Sequence, residues 1–361
     1  MTPAATRIDR LRARLDELSV DALLITSPSN RRWISGFTGT AGTLLVSRDH
    51  ARFATDARYY EQVSAQAAAF TLVPANGAMG EWAPALLEGL EGKRVGFEPA
   101  GLTYALFEEW KDTLASLPDA DRPALVAAPG AIEALRAIKE PDEVDRLTRA
   151  VLLGDAAFTH AASTARPGMT ERELAWEVQR FAMEHGADDL SFPTIIASGA
   201  WGALPHAYPR ATRLEAGAGV VMDLGVVVEG YCSDLTRTIV LGEPDARFQE
   251  IYDIVLTAQE MAEERIEAGM TGEQAHQIAA RVIAEAGYGE YFGHGLGHGV
   301  GLDIHEAPRL GPRSADLLAD GQVVTVEPGI YIPGWGGIRI EDQCVMEGGR
   351  LRRLSTAAKL N

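Results

Sequence analysis

Cysteine is almost absent: the 361 residues hold two, Cys232 and Cys344. Two thiols cannot staple a small secreted fold, and they rule out a thiolate-rich metal cage. Both are read as free thiols packed inside a protein of a reducing cytoplasm. Long apolar runs are missing as well, and no stretch reaches the roughly 18 apolar residues that a membrane-spanning helix needs. The opening MTPAATRIDRLRARLDELSVDALLIT is charged and amphipathic, without the apolar centre of a signal peptide. Positive charge is scarce: 33 Lys and Arg face 51 Asp and Glu, a formal net charge of −18. That balance argues against nucleic acid or an anionic membrane surface as a general partner. No phosphate-loop GxxxxGK[ST] and no nucleophile-elbow GxSxG occur either.

A hydrophobic content of 46% with 23% charged residues is ordinary for a globular protein. The length exceeds what one core usually serves, so two domains are expected. Residues 7–18 predict an amphipathic helix with Ile8, Leu11, Leu15 and Leu18 on one stripe. Strands are predicted at 21–26, 43–47, 52–55 and 94–97, with helices at 58–69 and 102–116. Residues 117–130, rich in Pro, Ala and Asp, read as a boundary. Helices follow near 131–138, 141–164, 170–186, 244–267 and 271–286, and Pro141 suits a first helical turn. The fold class expected is α/β (α+β), with an N-terminal α/β domain at 1–128, a linker at 129–140 and a catalytic domain at 141–361.

Chemistry concentrates in the last third. Asp223 and Asp234 lie in VVMDLGVVVEGYCSDLTRTIVL, and a turn centred on Glu229-Gly230 makes them diagonal neighbours on one face of a hairpin. Glu327 and Glu341 lie in VVTVEPGIYIPGWGGIRIEDQCVM, and a turn centred on Gly334 sets them directly opposite each other. A carboxylate inside so apolar a run is costly to bury without a cation or strong hydrogen bonds. His298 adds a nitrogen donor from GHGLGHGVGLDIHE, residues 293–306, which packs three of the eight histidines among five alternating glycines. Alternating glycines cannot be fitted to GxGxxG, and they are read as letting backbone approach a substrate or metal. Four carboxylates and one imidazole suit two divalent cations, Mn²⁺, Co²⁺ or Zn²⁺, that activate a water.

The segment His294–Glu306 resembles the signature of the proline peptidases, the prolidase and aminopeptidase P group of the M24 metallopeptidases. All five ligand positions match in type and order, and the resemblance covers essentially the whole chain. It implies a pita-bread catalytic domain, two α/β halves around a dinuclear site, behind a creatinase-like N-terminal domain serving dimerisation or substrate access. It also implies that Asp223 binds one metal and His298 with Glu327 the other, while Asp234 and Glu341 bridge them. Glu327 would double as general base. His206 and His305 would position the substrate carbonyl and stabilise the tetrahedral intermediate, and His294 would face the substrate. Arg339 and Tyr331 match positions tied to the bridging carboxylate and to substrate contacts.

The substrates so implied are short peptides with proline in second place, cleaved by a cytoplasmic homodimer. Gly36-Phe-Thr-Gly-Thr-Ala-Gly-Thr43 with Thr55-Asp-Ala-Arg-Tyr59 resembles the aminopeptidase P pattern, which tips the choice to that activity over prolidase, the alternative. Methionine aminopeptidase shares the ligands but lacks the extra domain. A creatinase-like hydrolase lacks the metal set, and a non-catalytic pita-bread binding module would have lost ligands.

Overall fold

The computed structural model describes residues 3–360. It divides into two compact units, the first ending at Arg136 and the second starting at Ala137. Among the described residues no helix is long and apolar enough to cross a membrane.

In the first unit the helix Pro3–Arg14 buries Ile8 and Leu11, and Leu15 just beyond it is also buried. It starts and stops earlier than predicted, because the chain turns back through Ser19 at φ 55 before Leu18 can join the stripe. Six strands follow: β1 (Ala22–Ile25), β2 (Thr43–Ser47), β3 (Ala51–Thr55), β4 (Thr71–Pro74), β5 (Arg94–Phe97) and β6 (Ala124–Ala127). They form one mixed sheet in the order β4-β3-β2-β1-β5-β6. The Pro- and Asp-rich stretch 117–130 is therefore not a bare boundary. Its centre is an edge strand parallel to β5, where imperfect alternation costs little because one side has no partner. The helix Met79–Leu87 gave no sequence signal, since it is short and carries Pro84 inside it.

The second unit opens with the helix Pro141–Thr164, which places Pro141 in its first turn and closes a capping box between Glu140 and Glu143. Its strands are β7 (Asp189–Leu190), β8 (Ile195–Ser198), β9 (Gly219–Leu224), β10 (Val226–Val228), β11 (Tyr231–Cys232) and β12 (Leu235–Val240). After the helices Ala246–Arg265 and Gly272–Glu285 come β13 (Gly297–Gly299), β14 (Glu306–Leu310), β15 (Val323–Val326) and β16 (Gly329–Ile332). The last three are β17 (Gly336–Arg339), β18 (Asp342–Glu347) and β19 (Arg350–Arg353). Two cores result, each a helix pair over a sheet. Leu174, Val178, Val220 and Met222 belong to one; Ile251, Val255, Ile283, Val324 and Ile340 belong to the other.

The sheets of the two halves meet along a seam. Glu341 donates its N–H to the Thr236 carbonyl at 3.0 Å, and the Thr238 hydroxyl donates to the Arg339 carbonyl at 3.0 Å. Close backbone packing also explains the glycine run. A Cβ on Gly297 would lie 2.0 Å from the Thr325 carbonyl oxygen, and one on Gly299 would lie 2.2 Å from that of Ala307. These two glycines let neighbouring strands approach each other, and Gly297 also lines the cavity described below.

Candidate metal centre

The hairpin registers decide which carboxylates meet. Thr236 pairs with Asp223 across β9 and β12, so Asp234, two residues earlier, is the diagonal neighbour of Asp223. Val326 pairs with Asp342 and Gly329 with Arg339. Both pairings share one register, and carrying it through the gap sets Glu327 opposite Glu341. β13 delivers His298 from the adjoining strand, held by its N–H to the Thr325 hydroxyl at 3.1 Å.

Ligand atoms of Asp234, His298 and Glu341 all lie within 4.8 Å of one another. His298 Nε2 is 3.5 Å from Asp234 Oδ2 and 3.4 Å from Glu327 Oε1. Asp223 lines the same cavity, but one of its oxygens is taken by the Arg339 guanidinium in a buried ion pair. Arg339 also donates to the Tyr331 hydroxyl at 2.7 Å and from Nε to the Thr236 hydroxyl at 3.0 Å. That hydroxyl in turn donates to Glu341 Oε2 at 2.6 Å. Arg339 thus grips Asp223 directly and reaches Glu341, the bridging carboxylate of the sequence reading, only through Thr236.

Thr236 and Thr325 were not foreseen. Each sits on a strand two residues from a candidate ligand just beyond the strand's end, and side chains of that spacing share a face. This period is the signal that finds them. Thr236→Val keeps the shape but strands the Arg339 Nε–H and one Glu341 oxygen. Urea unfolding of the metal-stripped variant should show a loss of about 1–3 kcal/mol. An unchanged midpoint would mean that the hydroxyl ties nothing together.

Other sequence-predicted residues gather around the same cavity of about 880 Å³. His294 has both ring nitrogens engaged, one with the Gly295 carbonyl at 2.7 Å and one with the Tyr331 hydroxyl at 2.9 Å. The carbonyl can only accept, so Nδ1 carries the proton and Nε2 accepts from Tyr331. Burial, helped by the Arg339 charge, lowers His294 to about 4, so this ring stays neutral. Burial likewise pushes the Tyr331 hydroxyl up to about 12. His305 is exposed to the cavity with its ring 4.3 Å from that of His298. The next residue, Glu306, is held in a buried pair with Lys139 at 3.1 Å. His206 is also exposed on the cavity wall, on a loop tied down by the Arg210 to fully buried Glu171 ion pair at 2.8 Å.

Three observations test whether divalent cations suit this arrangement. His298 Nδ1 faces the Gly299 carbonyl at 3.1 Å, and burial lowers the pKa of the ring. The neutral ring therefore turns a bare Nε2 lone pair toward carboxylate oxygens, acceptor against acceptor. Among the described residues Asp223 Oδ1 and Glu341 Oε1 are buried with no hydrogen-bond partner, at about 1–3 kcal/mol each. Burial and mutual repulsion raise Asp234 and Glu341 well above the usual carboxylate range, and burial first, with the Asp223 charge adding, lifts Glu327 to about 7. Cations among these atoms resolve all three, and a ligand histidine donating its other N–H to a backbone carbonyl is the usual supporting contact.

Residues 145–347 match the model of metallopeptidase family M24, and residues 7–138 match the creatinase/prolidase N-terminal domain. The chain belongs to metallopeptidase family M24. The M24 chain is thus a metallo-exopeptidase with a pita-bread domain behind a creatinase-like one, and divalent-metal use comes with the family. A solved "Xaa-Pro dipeptidase from Bacillus anthracis" is 42% identical, with TM-score 0.94 and 99% of each chain covered. The "Xaa-Pro dipeptidase" of Pyrococcus horikoshii is 38% identical over 94% of both chains. An "X-Pro aminopeptidase from Thermotoga maritima" is 32% identical, with TM-score 0.88, covering 98% of this chain and 99% of that one.

The lean toward aminopeptidase P is therefore not favoured, and the dipeptidase alternative fits better. The N-terminal motif that prompted the lean has a local explanation. Gly36 caps the helix Pro28–Ser35 at φ 80, Thr40 bonds to the Tyr59 hydroxyl at 2.6 Å, and the Thr55 hydroxyl donates to the Ala41 carbonyl at 2.9 Å. These contacts shape a turn.

Proposed function

We propose that the chain is a dinuclear metal-dependent Xaa-Pro dipeptidase. The convergence of Asp234, His298, Glu327 and Glu341 on one cavity carries the reading. Asp223 would hold one ion, His298 with Glu327 the other, and Asp234 with Glu341 both. The ions, Mn²⁺ first with Co²⁺ or Zn²⁺ as alternatives, would polarise the scissile carbonyl and make water a nucleophile near neutral pH.

The chain's own residues supply the rest. An Xaa-Pro bond is a tertiary amide without an N–H, so its nitrogen leaves only after receiving a proton. Glu327, on the cavity wall beside His298, would accept a proton from the attacking water and release it toward the prolyl nitrogen. His206 and His305, both on the cavity wall, would donate to the carbonyl oxygen as charge develops there. Phe192, Pro193, Ile195 and Ile304 give the cavity an apolar side that suits a pyrrolidine ring.

Arg309 favours a dipeptide. Arg309 and Arg339 are the lysine or arginine side chains that line the cavity, and Arg339 is consumed by Asp223, Thr236 and Tyr331. Among the described residues the Arg309 guanidinium makes no hydrogen bond or ion pair, and it is exposed. A free C-terminal carboxylate directly after proline would give it a partner. Arg309→Ala should raise KM for Ala-Pro with little change in kcat, at about 1.5–3 kcal/mol, or roughly 10–100-fold.

The deciding assay compares Ala-Pro, Ala-Pro-Ala and Ala-Ala with Mn²⁺ added. Ala-Pro should be cleaved much the fastest. Faster cleavage of Ala-Pro-Ala would restore aminopeptidase P, and equal rates on Ala-Ala would end the proline specificity. The reading retains a homodimer, with the N-terminal unit serving dimerisation or substrate access. Sedimentation of the purified chain checks the dimer.

A further inference from the structure

Behind the seam, on the side away from the cavity, one arginine joins the strands that bring the ligands together. Side chains alternate along a strand. Thr236 therefore faces the carboxylates while Arg237 points backward, lining a separate cavity of about 230 Å³. Its side chain is 2% exposed and that of Asp342 0%. Nη1 donates to the Thr236 carbonyl at 3.0 Å and, in a very short contact, to the Glu341 carbonyl. Nη2 donates to Asp342 Oδ1 at 2.6 Å and to the Ala357 carbonyl at 2.8 Å, while Nε donates to the Ala358 carbonyl at 3.3 Å. All five N–H groups are used. The far oxygen of Asp342 is closed by Lys359 at 2.8 Å and Gln259 at 3.0 Å.

We infer that Arg237 is a positioning residue for the metal centre: its guanidinium sets the spacing between the Asp234–Thr236 strand and Glu341, holding two carboxylates close enough to share ions. The inference rests on the dinuclear reading above. A planar five-donor fork can span two carbonyls on facing strands and a carboxylate at once, which a lysine ammonium cannot. Arg237 touches no ligand side chain, so its effect passes entirely through the backbone of Thr236 and Glu341.

The test is titration of metal-stripped full chain with Mn²⁺, alongside the visible absorption spectrum of the Co²⁺-loaded chain. Arg237→Lys should weaken Mn²⁺ binding about 10–100-fold, the range for losing a supporting contact, and should change the Co²⁺ band positions. Tyr252→Phe serves as the control. It frees the Leu360 N–H that the Tyr252 hydroxyl now accepts at 2.8 Å, so it loosens the same C-terminal segment without touching Arg237. It should lower Tm yet bind Mn²⁺ as the parent does. A folded Arg237→Lys chain with parental affinity and spectrum overturns the inference, as does a Tyr252→Phe chain weakened as much as Arg237→Lys. If Arg237→Lys does not fold, Asp342→Asn decides: severalfold weaker Mn²⁺ binding supports the role, and unchanged binding refutes it. A parent chain that takes up no Mn²⁺ overturns the dinuclear reading along with this inference, whereas the preceding failures overturn this inference alone.

Discussion

Asp234→Asn and Glu341→Gln should each abolish peptidase activity, while making the metal-stripped protein more stable than its stripped parent. Each side chain is proposed to serve both ions, so the activity lost should exceed the roughly 10²–10³-fold that one oxyanion donor supplies. Retention of more than about a tenth of the parental rate would rule out shared ligation. The stability arm follows from the empty site. Asp234 is raised by burial first and then by Glu341, Asp223 and Glu327, so a neutral amide relieves repulsion that the stripped parent suffers. With Mn²⁺ present the order should reverse, the parent unfolding last. Paired thermal scans with chelator and with Mn²⁺ read both arms, and a variant that ranks the same way in both would contradict the reading.

Metal-dependent stabilisation should grow steeply with pH. In the metal-free fold Glu327 is lifted to about 7, above the roughly 4.3 of a free glutamate, and burial with mutual repulsion also raises Asp234 and Glu341 well above the usual carboxylate range. For a raised carboxylate the folded state holds the proton more tightly than the unfolded chain. Its stabilising contribution is complete below the unfolded value and is lost as pH rises through about 7. Bound cations reverse this, since ligation needs the ionised form. Affinity should fall about tenfold per pH unit below 7 for each displaced proton. At pH 8, Mn²⁺ at about a hundred times its Kd should add about 2.7 kcal/mol, or roughly 5–10 °C for a unit of this size. Near pH 5.5 the gain should largely vanish. An increment independent of pH would mean that binding displaces no protons from these carboxylates.

The ligand hairpins were legible because period-two arithmetic about a glycine turn is rigid. Once Glu229-Gly230 and Gly334 are taken as centres, the partners of Asp223 and Glu327 follow by counting, and β9–β12 and β15–β18 keep that register. Strands β2 and β5, apolar runs between polar turns, were legible for the same reason. β6 and the helix Met79–Leu87 were not, because short edge elements and a proline-bearing helix carry little periodic signal. Contacts among side chains distant in sequence stayed hidden. Nothing in the spacing says that Thr236 links Arg339 to Glu341, or that, among the described residues, the Arg309 guanidinium makes no hydrogen bond or ion pair. The glycine run carried a second role that the sequence did not show: neighbouring backbone packs against Gly297 and Gly299.

The proposed ligands are spread from residue 223 to residue 341 and share one cavity where two sheets join. A nascent polypeptide leaving the ribosome therefore owns no complete site until residue 341 has emerged. Cations cannot serve as an early nucleus for such a chain. They arrive as a late rivet, so chelator added during translation should leave the first unit folding normally and expose only the second to proteolysis.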